Sequence, residues 1–194
     1  MVIESKIILA SSSPRRVKLL KQIQIEPYKI ISHNINEKDY LYLPPTKMVK
    51  KLSYEKAMDI KKKVQNNKFV ISADTAVARG NRIFEKTNDK NLIKEYLNQL
   101  SGKKHIVYGG ICAIAPDGSL SNRVVKTEVF FRRLFKNDFN DDDLINEGIG
   151  KAGGYAIQGY GASLVSKIKG SYFNVVGLSI FDVLLMLKGL GWTR

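Results

Sequence analysis

Apolar residues follow two rhythms along this chain. Ile7-Ile8-Leu9-Ala10 is a continuous apolar run, and the stretch from Phe69 to Val77 is a second, nearly continuous one. Runs of this kind, without polar alternation, predict strands covered on both faces. Between them Val49, Leu52, Ala57, Ile60 and Val64 recur at helical spacing. They predict a long helix that starts at Pro44-Pro45-Thr46 and runs through Asn66. Residues 28–32 predict a second strand, followed by a loop over 33–39. After the tight turn Arg79-Gly80-Asn81-Arg82, residues 83–86 return as a short strand. A helix over 89–100 follows, capped by Asn88 and ended by Ser101-Gly102. Residues 105–115 and 120–131 predict a hairpin around the turn Pro116-Asp117-Gly118-Ser119. An acidic helix over 138–146, a strand over 164–168 and an amphipathic helix over 178–190 complete the pattern. Strands alternating with helices predict an α/β fold, and 194 residues suit a single domain over 1–194.

Polar residues gain meaning where they break these rhythms. Directly after the first strand come Ser11, Ser12 and Ser13, then Pro14, Arg15 and Arg16. Ser13 fits an N-cap whose hydroxyl accepts from the first turn, and Pro14 fits the first helical position. A helix N-terminus at the end of a buried strand presents free amides and positive dipole to an anion. Two arginines beside it suit a forked grip on phosphate or a planar base; the alternative is a plain strand–helix connection with two solvated arginines. Lys56 lies inside the apolar stripe, four residues from both Leu52 and Ile60. A lysine facing the core needs a partner or an anion; the alternative is a snorkelling stem with its ammonium in water. Asp74 interrupts the second apolar run at a strand end, where ligands sit in open α/β sheets; the alternative is a structural aspartate that caps the next turn. The short return strand brings Lys86 back towards it. The glycine-rich stretch 150–161 carries Gln158, whose amide offers a donor and an acceptor to a base edge. Its spacing matches neither a dinucleotide fingerprint nor a phosphate P-loop.

Composition sharpens the picture in a few places. The net charge is +14. Its lysines are spread along the chain, without the interleaved aromatics of a single-strand grip. That argues for compositional drift plus a local anion site and against a nucleic-acid partner. No apolar run approaches the ~20 residues of a membrane span, and no secretory leader precedes the first strand. The single cysteine, Cys112, lies in an apolar run, which suits a reducing cytoplasm. His33 and His105 match no zinc or catalytic spacing. His33 reads as a solvated loop residue and His105 as a strand-edge residue. Asp141, Asp142 and Asp143 read as a solvated helix face.

Taken together, these pieces resemble the Maf family of nucleoside triphosphate pyrophosphatases. The resemblance spans nearly the whole chain. It rests on Ala10-Ser11-Ser12-Ser13-Pro14-Arg15-Arg16, Leu52-Ser53-Tyr54-Glu55-Lys56-Ala57, Ala73-Asp74-Thr75 and Leu100-Ser101-Gly102. It continues in Thr127-Glu128-Val129-Phe130-Phe131-Arg132, Gly150-Lys151-Ala152-Gly153-Gly154-Tyr155, Ile157-Gln158-Gly159 and residues 170–178. Thr87 stands where the family usually has proline.

What the resemblance implies is specific. The fold would be an elongated α/β fold with a mixed, curved sheet flanked by helices. It would be like that of inosine triphosphate pyrophosphatases (Ham1), with a cleft between two lobes. The reaction would be hydrolysis of a nucleoside triphosphate to the monophosphate and pyrophosphate with magnesium or manganese, as house-cleaning of the nucleotide pool. Asp74 would be the proton acceptor and, with Glu37, the metal ligand. Ser11, Ser13, Arg15, Arg16, Glu37, Lys56, Thr75, Lys86 and Gln158 would bind substrate, with Arg15, Thr75 and Gln158 setting its choice. Ser-Pro-Arg-Arg with Ala-Asp-Thr resembles the dTTP/UTP branch. The branch that prefers 7-methyl-GTP tends to carry a bulky aromatic at the Arg15 position and no Asp-Thr. A homodimer is a family-level expectation. The family's link with septum formation keeps a rival open, a non-enzymatic regulator that binds nucleic acid or a division protein. The chemistry is coherent without the name: water attacking an α-phosphorus is repelled by the triphosphate, so the site must neutralise that charge.

Overall fold

The computed structural model describes residues 6–64 and 67–193. The strand order in its mixed seven-stranded sheet is β2-β1-β3-β5-β6-β7, with β4 paired to β3. The strands are β1 (Ile7–Ala10), β2 (Lys29–Ile30), β3 (Phe69–Arg79), β4 (Arg82–Phe84), β5 (Lys104–Ile114), β6 (Leu120–Phe131) and β7 (Val165–Lys169). The helices are α1 (Pro14–Gln22), α2 (Pro45–Lys61), α3 (Lys90–Leu100), α4 (Asp142–Gly148), α5 (Tyr172–Val176) and α6 (Ile180–Gly189). The expected mixed α/β class, an open sheet with flanking helices, is what the structure has. Residue contacts divide the chain into two compact units.

The first unit comprises the chain up to Asp74, Gly109–Val125, and the part from Gly177 onward. Here β1 pairs in parallel with both β2 and β3, with Ala10 opposite Ser72. Parallel strands buried on both faces read as unbroken apolar runs, which is how both were found. Ile8, Ala10, Ala57, Ile60, Val70, Cys112 and Ile114 form a buried cluster. Burial pushes the Cys112 thiol up to about 12, so it serves as a small core hydrophobe. Helix α2 lies hard against β5. A Cβ on Gly110 would fall 2.0 Å from the Val49 carbonyl oxygen, so only glycine allows this approach.

The second unit comprises Thr75–Tyr108 and Lys126–Val176. The end of β3 pairs antiparallel with β4, and β6 pairs antiparallel with β7 across a bulge at Phe130/Phe131. Its centre is aromatic. His105, Phe131 and Tyr155 meet edge to face, and His105 Nε2 lies 2.8 Å from the Tyr155 hydroxyl. The Asn174 amide donates to the Val107 carbonyl and to Thr127 Oγ1, both at 3.0 Å. His105 is 1% exposed, so it is a core residue and not the strand-edge residue its position suggested.

Other differences from the sequence reading have local causes. Helix α2 stops at Lys61, whose ammonium reaches the Ala115 carbonyl at 3.1 Å, and does not continue through Val64; the expected end, Asn66, lies outside the described residues. Asp89, not Asn88, caps α3 by accepting from the Asn91 and Leu92 amides. The acidic helix begins later than expected. Arg132 holds Asp138 in a two-pronged pair at 2.9 and 2.7 Å, within a 3-10 turn over Lys136–Asn140. Asp141 then becomes the cap of α4, accepting from the Leu144 amide. The glycine-rich stretch forms two 3-10 turns, Ala152–Gly154 and Tyr160–Leu164.

Candidate active site

The β1–α1 turn follows from its serines. Pro14 opens α1 as expected, and Ser13 stands at the cap position with extended backbone. Its hydroxyl makes no capping bond. The organising oxygen is instead Ser11 Oγ, which is buried and accepts from the Ser13 amide at 3.2 Å and from Arg16 Nη1 at 2.9 Å. Arg16 Nε donates to the Gly177 carbonyl at 3.0 Å. Burial lowers the Arg16 pKa, Asp74 and Glu37 act in the opposite sense, and Arg15 adds to the lowering. Arginine remains charged throughout, so Arg16 is a fixed cation within electrical reach of both carboxylates. Arg15, half-buried on the same turn, is also lowered by burial.

The centre of the arrangement lies on α2 and β3. Lys56 is 1% exposed, and its Nζ donates at 2.6 Å to Glu37 Oε1 and at 2.6 Å to Asp74 Oδ1. Its ammonium is thus not in water, and the snorkelling alternative fails. Asp74 is 4% exposed. The register that brings the pair together is held by the Ser72 hydroxyl, which donates to the Ser53 carbonyl on α2. Glu37 opens a 3-10 turn over Glu37–Tyr40 whose cap, Asn36, accepts from the Lys38 amide. Asp59, one turn beyond Lys56 on α2, accepts from the Asn34 amide and from Lys63, which pins this loop to the helix.

One member was missed in the sequence. His33 lies with Nε2 4.0 Å from Glu37 Oε1 and a side chain only 17% exposed, and is not a solvated loop residue. Its Nδ1 accepts from the Ile35 amide at 3.3 Å, which leaves the neutral ring's proton on Nε2, facing Glu37. Burial, followed by the nearby Lys56 charge, lowers its pKa, so the ring is neutral near pH 7. A lone histidine in a polar loop gives no signal of this; only the spacing of four residues to Glu37 hinted at it.

Within the first unit the structure therefore brings together Ser11, Arg16, Glu37, Lys56 and Asp74, with Ser13 and Arg15 on the adjoining turn. Thr75, Lys86 and Gln158 belong to the second unit. Thr75 is half-buried in β3, Lys86 is exposed after β4, and Gln158 is exposed between the two 3-10 turns. Among the described residues no group of three or more acidic, histidine or cysteine side chains converges as a ready metal cage. Glu37 and Asp74 do converge, and two carboxylates are a donor set suited to magnesium or manganese that also binds phosphate oxygens and water. Helix, cations and paired carboxylates together can hold a polyanion and take a proton from a water beside it.

Known proteins match almost end to end. A dTTP/UTP pyrophosphatase of Mesorhizobium japonicum is 41% identical over 99% of this chain and 95% of its own length. Another from Paramagnetospirillum magneticum is 42% identical over 96% and 97%. A nucleoside triphosphate pyrophosphatase of Rickettsia rickettsii is 39% identical over 96% and 88%. Among solved structures, the Staphylococcus aureus Ham1 protein aligns over 64% of this chain and 71% of its own, with 16% identity and a TM-score of 0.46. The family model described as Maf-like protein matches residues 6–190. With that span of match and relatives near two-fifths identity, the chain belongs to the Maf-like protein family.

Proposed function

We propose that this chain hydrolyses pyrimidine nucleoside triphosphates of the dTTP and UTP type, and modified analogues, to the monophosphate and pyrophosphate, cleaning the cytoplasmic nucleotide pool. One observation carries the reading: a buried lysine is clamped between two carboxylates that both also act on an arginine in the first turn of α1. Those four charges balance, and Arg15 on the same turn adds a positive charge for a polyanion. The names borne by near full-length relatives point the same way.

The residues divide the work by chemistry. The α1 N-terminus and Arg15 are suited to phosphate oxygens. Arg16 is tied to Ser11 and Gly177, so it acts as a placed positive charge more than as a mobile grip. Asp74, held by Lys56, takes the proton from the attacking water. A divalent cation held by Asp74 and Glu37 would neutralise the charge growing on the leaving pyrophosphate. Thr75, Lys86 and Gln158 are assigned to substrate choice and phosphate neutralisation by family resemblance.

The test is purified protein with magnesium or manganese and direct competition among dTTP, UTP, 5-methyl-UTP and 7-methyl-GTP. Pyrophosphate release favouring the first three, and abolished by chelation, is expected. Preference for 7-methyl-GTP would move the chain to the other branch. No release from any of them, with tight salt-sensitive DNA binding, would replace the enzyme by the regulator.

A further inference from the structure

We propose that Lys56 is the resident cation of the Glu37–Asp74 pair, so that a divalent cation joins this site only together with a triphosphate. The proposal deepens the reading above, since it takes Glu37 and Asp74 as the cation's ligands.

Geometry is the first support. One nitrogen, Lys56 Nζ, lies 2.6 Å from an oxygen of each carboxylate. Oxygen ligands approach divalent cations at about 2.0–2.6 Å, so a cation bound by both acids would claim the same place. Lys56 has little freedom to leave it. Its side chain is 2% exposed, and its neighbours on α2, Leu52, Ala57 and Ile60, are core residues. The helix itself is fixed against β5 by the close approach at Gly110.

Charge is the second support. Two carboxylates face Lys56, and both also act on Arg16. The acids are therefore already neutralised. A lone dication would either displace Lys56 or sit beside it in a buried place, and like charges repel strongly there. Among the described residues no third acidic or histidine ligand offsets that cost. His33, the other titratable group beside Glu37, carries no negative charge in either protonation state. A triphosphate reverses the sign. Its negative charges attract the dication and offer Lys56 a second partner, so the two ligands favour each other's binding by the same factor. Metal affinity is then a property of the nucleotide complex and not of the free protein.

The experiment titrates manganese alone, by electron paramagnetic resonance and calorimetry, into wild type, Lys56→Met, Lys56→Gln and the double variant Lys56→Met with Asp74→Asn. The wild type is repeated with the non-hydrolysable α,β-methylene analogue of UTP. Expected are at least tenfold tighter manganese binding by wild type when the analogue is present, and at least tenfold tighter binding of manganese alone once Lys56 is replaced. Manganese should also raise the melting temperature of the Lys56 variants, and the gain should vanish in the double variant. Wild type that binds manganese equally well with and without bound analogue would overturn the proposal, as would Lys56 variants with no gain. Should neither Lys56 variant fold, the wild-type comparison decides alone. Failure of the pyrophosphatase reading looks different: the analogue does not bind at all, while manganese affinity in the Lys56 variants still decides which cation the acids hold.

Discussion

The two units solve the same problem, polar groups inside a core, in opposite ways. In the first unit the buried groups include charged ones: Lys56 at 1% and Asp74 at 4% exposure, with half-exposed Glu37 as the second carboxylate on Lys56. In the second they are neutral: His105 against Tyr155, and Asn174 against Thr127 and the Val107 carbonyl. Buried charge is costly unless matched, and a hydrophobic substitute often serves stability as well. A neutral network rigidifies a core at lower risk. The difference teaches where to look for chemistry: the charged centre adjoins a helix N-terminus and opens to solvent through Glu37, whereas the neutral centre is closed by aromatic rings.

The contrast can be broken by experiment, beginning with the largest effect. Replacing Asp74 by Asn keeps shape and removes the proposed base, and turnover of dTTP and UTP should fall about 10²–10⁴-fold with the fold intact by circular dichroism. Near-full turnover would remove Asp74 from the chemistry. Next, Lys56→Ala leaves two acids without their cation, and urea unfolding should show a loss of about 3–5 kcal/mol. The third test concerns pH. Burial lowers the His105 pKa from 6.5 to about 4, so the fold favours the neutral ring. Its contribution is complete above the unfolded value of 6.5 and is lost as pH falls through the window down to about 4. The full span corresponds to roughly 3 kcal/mol, and His105→Phe should flatten that part of the stability–pH curve while sparing turnover at pH 7.5. Smallest is Tyr155→Phe, which leaves His105 Nε2 without its 2.8 Å partner and should cost about 1–3 kcal/mol in chemical denaturation, again sparing turnover.

Much of this was legible in the sequence, for a physical reason. Burial imposes a rhythm, so β1, β3 and α2 could be read from apolar spacing, and Lys56 and Asp74 were visible as breaks in it. What crosses between distant segments leaves no such trace. Nothing near Ser13 said that Ser11 would take the organising role, because that depends on Arg16 reaching back from the next turn. Nothing near Gly110 announced a carbonyl 2.0 Å from its missing Cβ, because Val49 arrives from α2. His33 looked solvated because its neighbours in sequence are polar; its surroundings are Glu37 and Lys56, supplied by the fold. Asn88 and Asp89 are both good caps, and local chemistry alone does not choose between them.

The bond from Arg16 to the Gly177 carbonyl spans 161 positions in the chain. A ribosome makes the arginine early and its anchor late. Nascent chains released short of Gly177 would carry the whole β1–α1 turn with its guanidinium held by Ser11 but not by Gly177, so this corner matures only near the close of synthesis.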